Sequence, residues 1–130
     1  MTFTHDSNDD SSKYVLVVDN ELDLLNLMQR WLLIHGFKLC VFTDGLSALR
    51  HFSSNAKIHP IVICDIIGTS GITRHEFITR LRQMNPKVRL IVTGYEEPTN
   101  IIPDTFIKKP FSVEEIGYIV QQYYQHEMAS

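Results

Sequence analysis

The sequence predicts an α/β fold: a single doubly wound parallel sheet of five strands with helices on both faces. Three observations point there. Short apolar runs rich in β-branched residues alternate with longer segments of helical period. Capping signals mark several helix starts, and Gly or Pro punctuates their ends. The whole pattern fits in 130 residues, enough for one core and too few for two ordinary domains.

Residues 1–13, "MTFTHDSNDDSSK", are too polar to bury surface that would offset the entropy of ordering, and are expected as a flexible tail. The domain proper is expected over 14–125, with 126–130 as a C-terminal tail. "YVLVV" (14–18) reads as the first strand. A helix follows in which Leu25, Met28 and Leu32 recur at spacings of three and four, and Gly36 closes it. "KLCVFT" (38–43) is the second strand, and "DGLSALRHF" (44–52) a short helix capped by Asp44. "PIVICD" (60–65) is the third strand. Thr73 and Glu76 form a T-x-x-E capping box, so a helix runs from there to about Asn85, ahead of Pro86. "VRLIVT" (88–93) and "TFIKK" (105–109) complete the strands, and Ser112 with Glu115 opens a last helix carrying Ile116, Ile119, Val120 and Tyr123 on one face. The stretch "GYEEPTNIIPD" (94–104) is too short for three helical turns plus two loops, and Pro103 disfavours helix at Ile102. A fourth helix is therefore expected to be shortened to about one turn or absent.

Composition narrows the function. A net charge of −3 with mixed signs gives no reason to expect nucleic-acid or anionic-membrane binding. No apolar run approaches the ~20 residues of a membrane span, and no signal-peptide layout opens the chain, so a cytoplasmic protein is expected. Cys40 and Cys64 lie in apolar runs without a C-x-x-C pair and read as buried thiols. The six histidines include no H-x-x-x-H pair, which argues against zinc, and His75 reads as a surface position. No dinucleotide fingerprint or P-loop follows the first strand.

Asp19, Asp65, Thr93 and Lys109 end the first, third, fourth and fifth apolar runs. All four thus lie at carboxyl ends of parallel strands, the edge where open α/β sheets bind ligands. Two carboxylates at close range favour a hard cation such as Mg²⁺. With a lysine and a hydroxyl opposite, the set suits stabilisation of a transferring phosphoryl group, one carboxylate serving as nucleophile.

From Tyr14 to about Gln125 the chain resembles the receiver domain of two-component response regulators (CheY-like), through "VLVVDNE", "VICD", "IVTG" and "FIKKPF". The resemblance implies strand order 2-1-3-4-5, the flavodoxin-like arrangement. It implies that Asp65 accepts a phosphoryl group from a histidine kinase, a phosphotransfer protein or a small phosphodonor, and that Asp19 belongs to the metal pocket. Lys109 would contact the phosphoryl group beside a cis Lys109–Pro110 bond, Thr93 would bond a phosphoryl oxygen, and Phe106 would be the coupled aromatic switch. Ile67 would offer a backbone carbonyl to the metal and, with Tyr95, gate hydrolytic water. The chain departs from the pattern at Asn20, where the usual acidic pair has its second carboxylate, so a weak Mg²⁺ site is expected. "IIGTSGITRHE" implies an altered loop after Asp65. No output domain is expected after Gln125, so signalling would pass through a downstream protein partner, with no metabolic chemistry beyond self-phosphorylation and autodephosphorylation. The alternative is a pseudo-receiver, the same fold binding proteins without phosphorylation.

Overall fold

The computed structural model describes residues 2–3, 13–65 and 72–129. Six strands form one sheet: β1 (Thr2–Phe3), β2 (Tyr14–Asp19), β3 (Lys38–Phe42), β4 (Ile61–Asp65), β5 (Arg89–Gly94) and β6 (Thr105–Lys108), in order β1-β3-β2-β4-β5-β6. The five strands from β2 onward are parallel. Numbered among themselves they run 2-1-3-4-5, as expected. Four helices connect or cover them: α1 (Leu22–Ile34), α2 (Gly45–Asn55), α3 (Arg74–Met84) and α4 (Val113–Ala129).

Side chains alternate across the pleat and so divide the core into two layers. Tyr14, Leu16, Val18, Cys40 and Phe42 face α2 and α3 and meet Leu49, Phe52, Phe77, Ile78 and Leu81. Val15, Val17, Leu39 and Val41 face the other way, onto Leu25, Met28 and Leu32 of α1 and Ile116 and Val120 of α4. Local signals fix the helix ends. Asp44 accepts the Ser47 amide at 2.8 Å, Thr73 accepts that of Glu76 at 3.1 Å, and Ser112 accepts that of Glu115 at 3.3 Å. Gly36 takes φ 87° after α1, a left-handed conformation open to glycine without strain.

Two departures from the sequence expectation have physical causes. Thr2–Phe3, placed in the tail, pairs antiparallel with Val41 and Cys40, because the outer edge of β3 offers unpaired backbone groups that an extended segment can satisfy. At the other end α4 continues through 126–129, where His, Glu, Met and Ala supply no breaker. Between Gly94 and Thr105 there is no helix, the second of the two outcomes expected there. Side chains brace this segment instead. Asp104 accepts the Leu90 amide at 2.7 Å and returns its own amide to the Leu90 carbonyl at 2.9 Å. Arg82 donates to the Ile102 carbonyl at 2.6 Å. Ile101 packs against the α2–α3 layer, whereas Ile102 is 84% exposed.

Candidate functional site

The register of the sheet assembles the site. Asp19 and Asp65 are register partners at the ends of β2 and β4, and Thr93 stands near the end of the neighbouring β5. Beyond β6 the Lys109 amide bonds the Gly94 carbonyl at 2.8 Å, which carries the lysine back over the strand ends. The Lys109–Pro110 peptide is cis. Lys109 Nζ hydrogen-bonds Asp65 Oδ2, lies 2.7 Å from Glu21 Oε1, and stands 3.4 Å from Asp19 Oδ2. Asp19, Asp65, Thr93 and Lys109 are all buried.

Burial on this scale has electrostatic consequences. Desolvation pushes Asp19 up to about 6, aided by the charge of Asp65 and opposed by the Glu21 amide and by Lys109. For Lys109, burial favours the neutral amine, but bonds to Asp65 and Glu21 and the nearby Asp19 outweigh it, so the ammonium is held above its ordinary range. The site therefore keeps its cation at neutral pH.

Two residues that sequence reasoning missed enter the site. Asn20 is exposed, and Glu21 supplies the third carboxylate, with ligand oxygens of Asp19, Glu21 and Asp65 all within 4.8 Å of one another. The signal available was nearness in sequence: Glu21 is the N-cap residue of α1, two positions past the end of β2, and its amide bonds Asp19 at 2.7 Å. Arg74 opens α3, where a cation opposes the helix dipole, an oddity that could have singled it out. A Cβ added to Gly94 would stand 3.4 Å from Arg74 Nη1 and 3.9 Å from Asp65 Oδ1, so this glycine leaves open the space between them.

Among the described residues, the buried side-chain atoms without a hydrogen-bond partner are Asp19 Oδ2, Asp65 Oδ1, Arg74 Nη1 and Thr93 Oγ1. Asp65 Oδ1 and Arg74 Nη1 face each other across the space that Gly94 leaves open, while Asp19 and Thr93 stand at the ends of the strands on either side of β4. Phe106 is half-buried against the α2–α3 layer. Tyr95 is 57% exposed, its ring centre 5.8 Å from Lys109 Nζ, and it lines a crevice of ≈ 150 Å³ with Glu21, Leu24, Pro110 and Phe111. Ile67 lies outside the described residues. Away from the site, Cys40 and Cys64 are buried thiols, each pushed up to about 12 chiefly by desolvation, and His75 is exposed. The histidines are less scattered in space than in sequence: His51 and His59 meet at 2.8 Å beside Cys40.

Comparison with known proteins agrees with this architecture. No family model matches the chain. It is 27% identical over 110 residues to the response regulator SaeR of Staphylococcus epidermidis, covering 79% of this chain and 46% of that protein. It is also 27% identical over 110 residues to the regulatory protein VirG of Rhizobium radiobacter, covering 79% and 40%. The chain thus spans less than half the length of these relatives. Among solved structures, a response regulator receiver domain from Clostridium thermocellum superposes with TM-score 0.78 at 18% identity, over 90% of this chain and 98% of that one. The receiver domain of the Francisella response regulator 1452 gives 0.75 at 23%, over 89% and 99%. The chain has the fold of response regulator receiver domains, and in sequence it resembles the two-component response regulators.

Proposed function

We propose that this chain is a working receiver in which Asp65 accepts a phosphoryl group from a histidine kinase, a phosphotransfer protein or a small phosphodonor. The observation that carries this reading is the set of unpartnered buried atoms. Apart from Asp19 Oδ2, which the Lys109 ammonium faces at 3.4 Å, each costs roughly 1–3 kcal/mol when left unsatisfied, so a module that only binds proteins through its surface has no reason to keep them. They are complementary to a cation and a phosphoryl group side by side.

Asp65 Oδ1, free of hydrogen bonds, attacks phosphorus. The P–N bond of a phosphohistidine breaks, or the P–O bond of a small acyl phosphate. The leaving group departs with the bonding pair, and Asp65 becomes an acyl phosphate. Lys109 Nζ, Arg74 Nη1 and Thr93 Oγ1 supply the charge and donors that phosphoryl oxygens require. The donor set fits Mg²⁺: Asp19, Glu21 and Asp65 would hold it, one oxygen from each lying within 4.8 Å of the others. Bound there, the ion would neutralise carboxylate and phosphoryl charge. Glu21 offsets part of the deficit left at Asn20. Output would pass to a protein partner at the segment from Gly94 to Asp104, where Ile102 is exposed.

The test is incubation with Mg²⁺ and acetyl phosphate followed by intact mass. A gain of one phosphoryl group, lost in Asp65→Asn and on chelation, supports the reading. An unmodified chain at millimolar Mg²⁺ would make it a phosphorylation-independent binding module, the reading favoured by the outward-facing Asn20.

A further inference from the structure

A second polar cluster lies on the α2–α3 side of the sheet, towards the amino ends of the strands and away from the carboxylate pocket. Cys40 comes from β3, His51 from α2, and His59 from the turn just ahead of β4. Their ligand-type atoms, one per residue, all lie within 4.8 Å of one another. Cys40 and His59 are fully buried and His51 half-buried.

The hydrogen bonds assign the protons. His59 Nδ1 is 2.9 Å from the Tyr14 carbonyl, which can only accept, so Nδ1 carries the hydrogen and Nε2 presents a lone pair. His51 Nε2 donates to that lone pair at 2.8 Å, and Asn55 Nδ2 adjoins His51 Nδ1 at 3.4 Å. A ring nitrogen turned inward while its partner N–H is fixed on a backbone carbonyl is the orientation that supports metal-ligating histidines. Phe42 and Phe52 wrap the pair, their ring centres 5.3 Å from His51 and 6.2 Å from His59 respectively. Burial also keeps both imidazoles in the neutral, ligand-competent form.

We propose that Cys40 Sγ, His51 Nε2 and His59 Nε2 form a binding site for a thiophilic transition-metal ion of the Zn²⁺ class. One thiolate and two imidazoles at tetrahedral positions stand about 3.3–3.8 Å apart given bonds of ~2.0–2.3 Å. The two nitrogens must therefore open by roughly half an ångström from their hydrogen-bonded separation. Binding releases one proton, from Sγ. The His51 proton passes from Nε2 to Nδ1, the Asn55 amide turns its N–H away from that nitrogen, and both Nε2 lone pairs turn to the metal. Carboxylates are absent from the ligand set, so Mg²⁺ is the wrong ion here and the two sites separate by chemistry. The ion would tie β3, α2 and the start of β4 together.

Co²⁺ is the probe, because it reports thiolate ligation spectroscopically. The reduced full chain, without added histidine tags, is stripped with chelator and titrated. The expected result is one equivalent of Co²⁺ giving a sulfur-to-cobalt charge-transfer band and tetrahedral visible bands, displaced by Zn²⁺. Cys40→Ser abolishes the charge-transfer band, Cys64→Ser leaves it, and His51→Ala raises the Co²⁺ required by roughly tenfold or more. No such band in the intact chain, or a band that survives Cys40→Ser or disappears with Cys64→Ser, overturns the proposal. If Cys40→Ser fails to fold by circular dichroism, half-buried His51→Ala decides: an unchanged titration in that folded variant overturns it equally.

Discussion

Asp19 should be a residue that the fold tolerates at a cost, and Asp19→Asn measures that cost. Its carboxyl is pushed to about 6 from an ordinary 3.8, mainly by burial and next by the charge of Asp65, against the pull of Lys109 and the Glu21 amide. Because the folded pKa lies above the unfolded one, the native state holds more protons between the two values. The favourable contribution of the protonated form is complete below 3.8 and lost as pH rises through 6. The difference of 6 − 3.8 corresponds to about 3 kcal/mol at 1.36 kcal/mol per pH unit, an upper value since Asp19 and Asp65 titrate as a coupled pair. An asparagine keeps an oxygen for the Glu21 amide, which Asp19 now accepts at 2.7 Å, and removes the buried charge. In chelator at about pH 7.5, urea denaturation should find Asp19→Asn more stable by about 2–3 kcal/mol. The gap should narrow through pH 6 and vanish towards about pH 4. Mg²⁺ should stabilise the unsubstituted chain more than the variant. A destabilised variant at pH 7.5, or a gap independent of pH, would refute the reasoning.

Other substitutions probe separate links. Glu21→Gln should weaken Mg²⁺ binding by roughly tenfold and Asn20→Asp should strengthen it, both measured by titration calorimetry; equal affinities would deny Glu21 a place in the cation site. Arg74→Met should lower the rate of acetyl-phosphate labelling by about tenfold while Asp65 remains the acceptor, and an unchanged rate removes Arg74 from the phosphoryl contacts. Gly117→Ala places a Cβ 1.9 Å from the Trp31 ring, so the ring must move about 1.5 Å to reach an ordinary contact. Overpacking of about 1–3 kcal/mol should exceed the ~1 kcal/mol helix gain, visible in the fluorescence of the single tryptophan and in urea midpoints, with relief in a Trp31→Leu background. Ile101→Asp should cost about 2–3 kcal/mol and Ile102→Asp under about 0.5, since only the first side chain packs on the core; equal costs would contradict that division.

Much of this fold is written in local sequence. Leu25, Met28 and Leu32 at helical spacing become the buried stripe of α1, and Asp44, Thr73 and Ser112 each cap the helix they precede. What stayed hidden depends on long-range register or on backbone supply and demand. Nothing in a polar tail announces that Thr2–Phe3 will pair with β3, because the cause is the unpaired edge of another strand. The cluster of Cys40, His51 and His59 joins three separate elements, so no motif spacing encodes it. Glu21 and Arg74 are different: nearness in sequence places the first beside Asp19, and a cation at a helix start marks the second.

The segment between β5 and β6 shows how a connection without a helix bears on the neighbouring site. With no helix there, Ile101 and Phe106 both pack, half-buried, against the α2–α3 layer. The segment is anchored at its far end, through the reciprocal bonds of Asp104 with Leu90, the Arg89–Asp104 pair at 3.7 Å and the Arg82 clasp on Ile102. Its near end, from Tyr95, leaves the site directly after Thr93 and Gly94. Any rearrangement at Thr93 is therefore delivered to a stretch of chain whose resistance comes from a few polar ties, not from a helical hydrogen-bond ladder. Such a stretch opens at lower free energy than a packed helix and carries exposed Ile102 with it. On the proposed function, coupling of the pocket to the surface would run through this short tethered loop, and loosening it by Asp104→Ala or Arg82→Ala would change how far that coupling reaches.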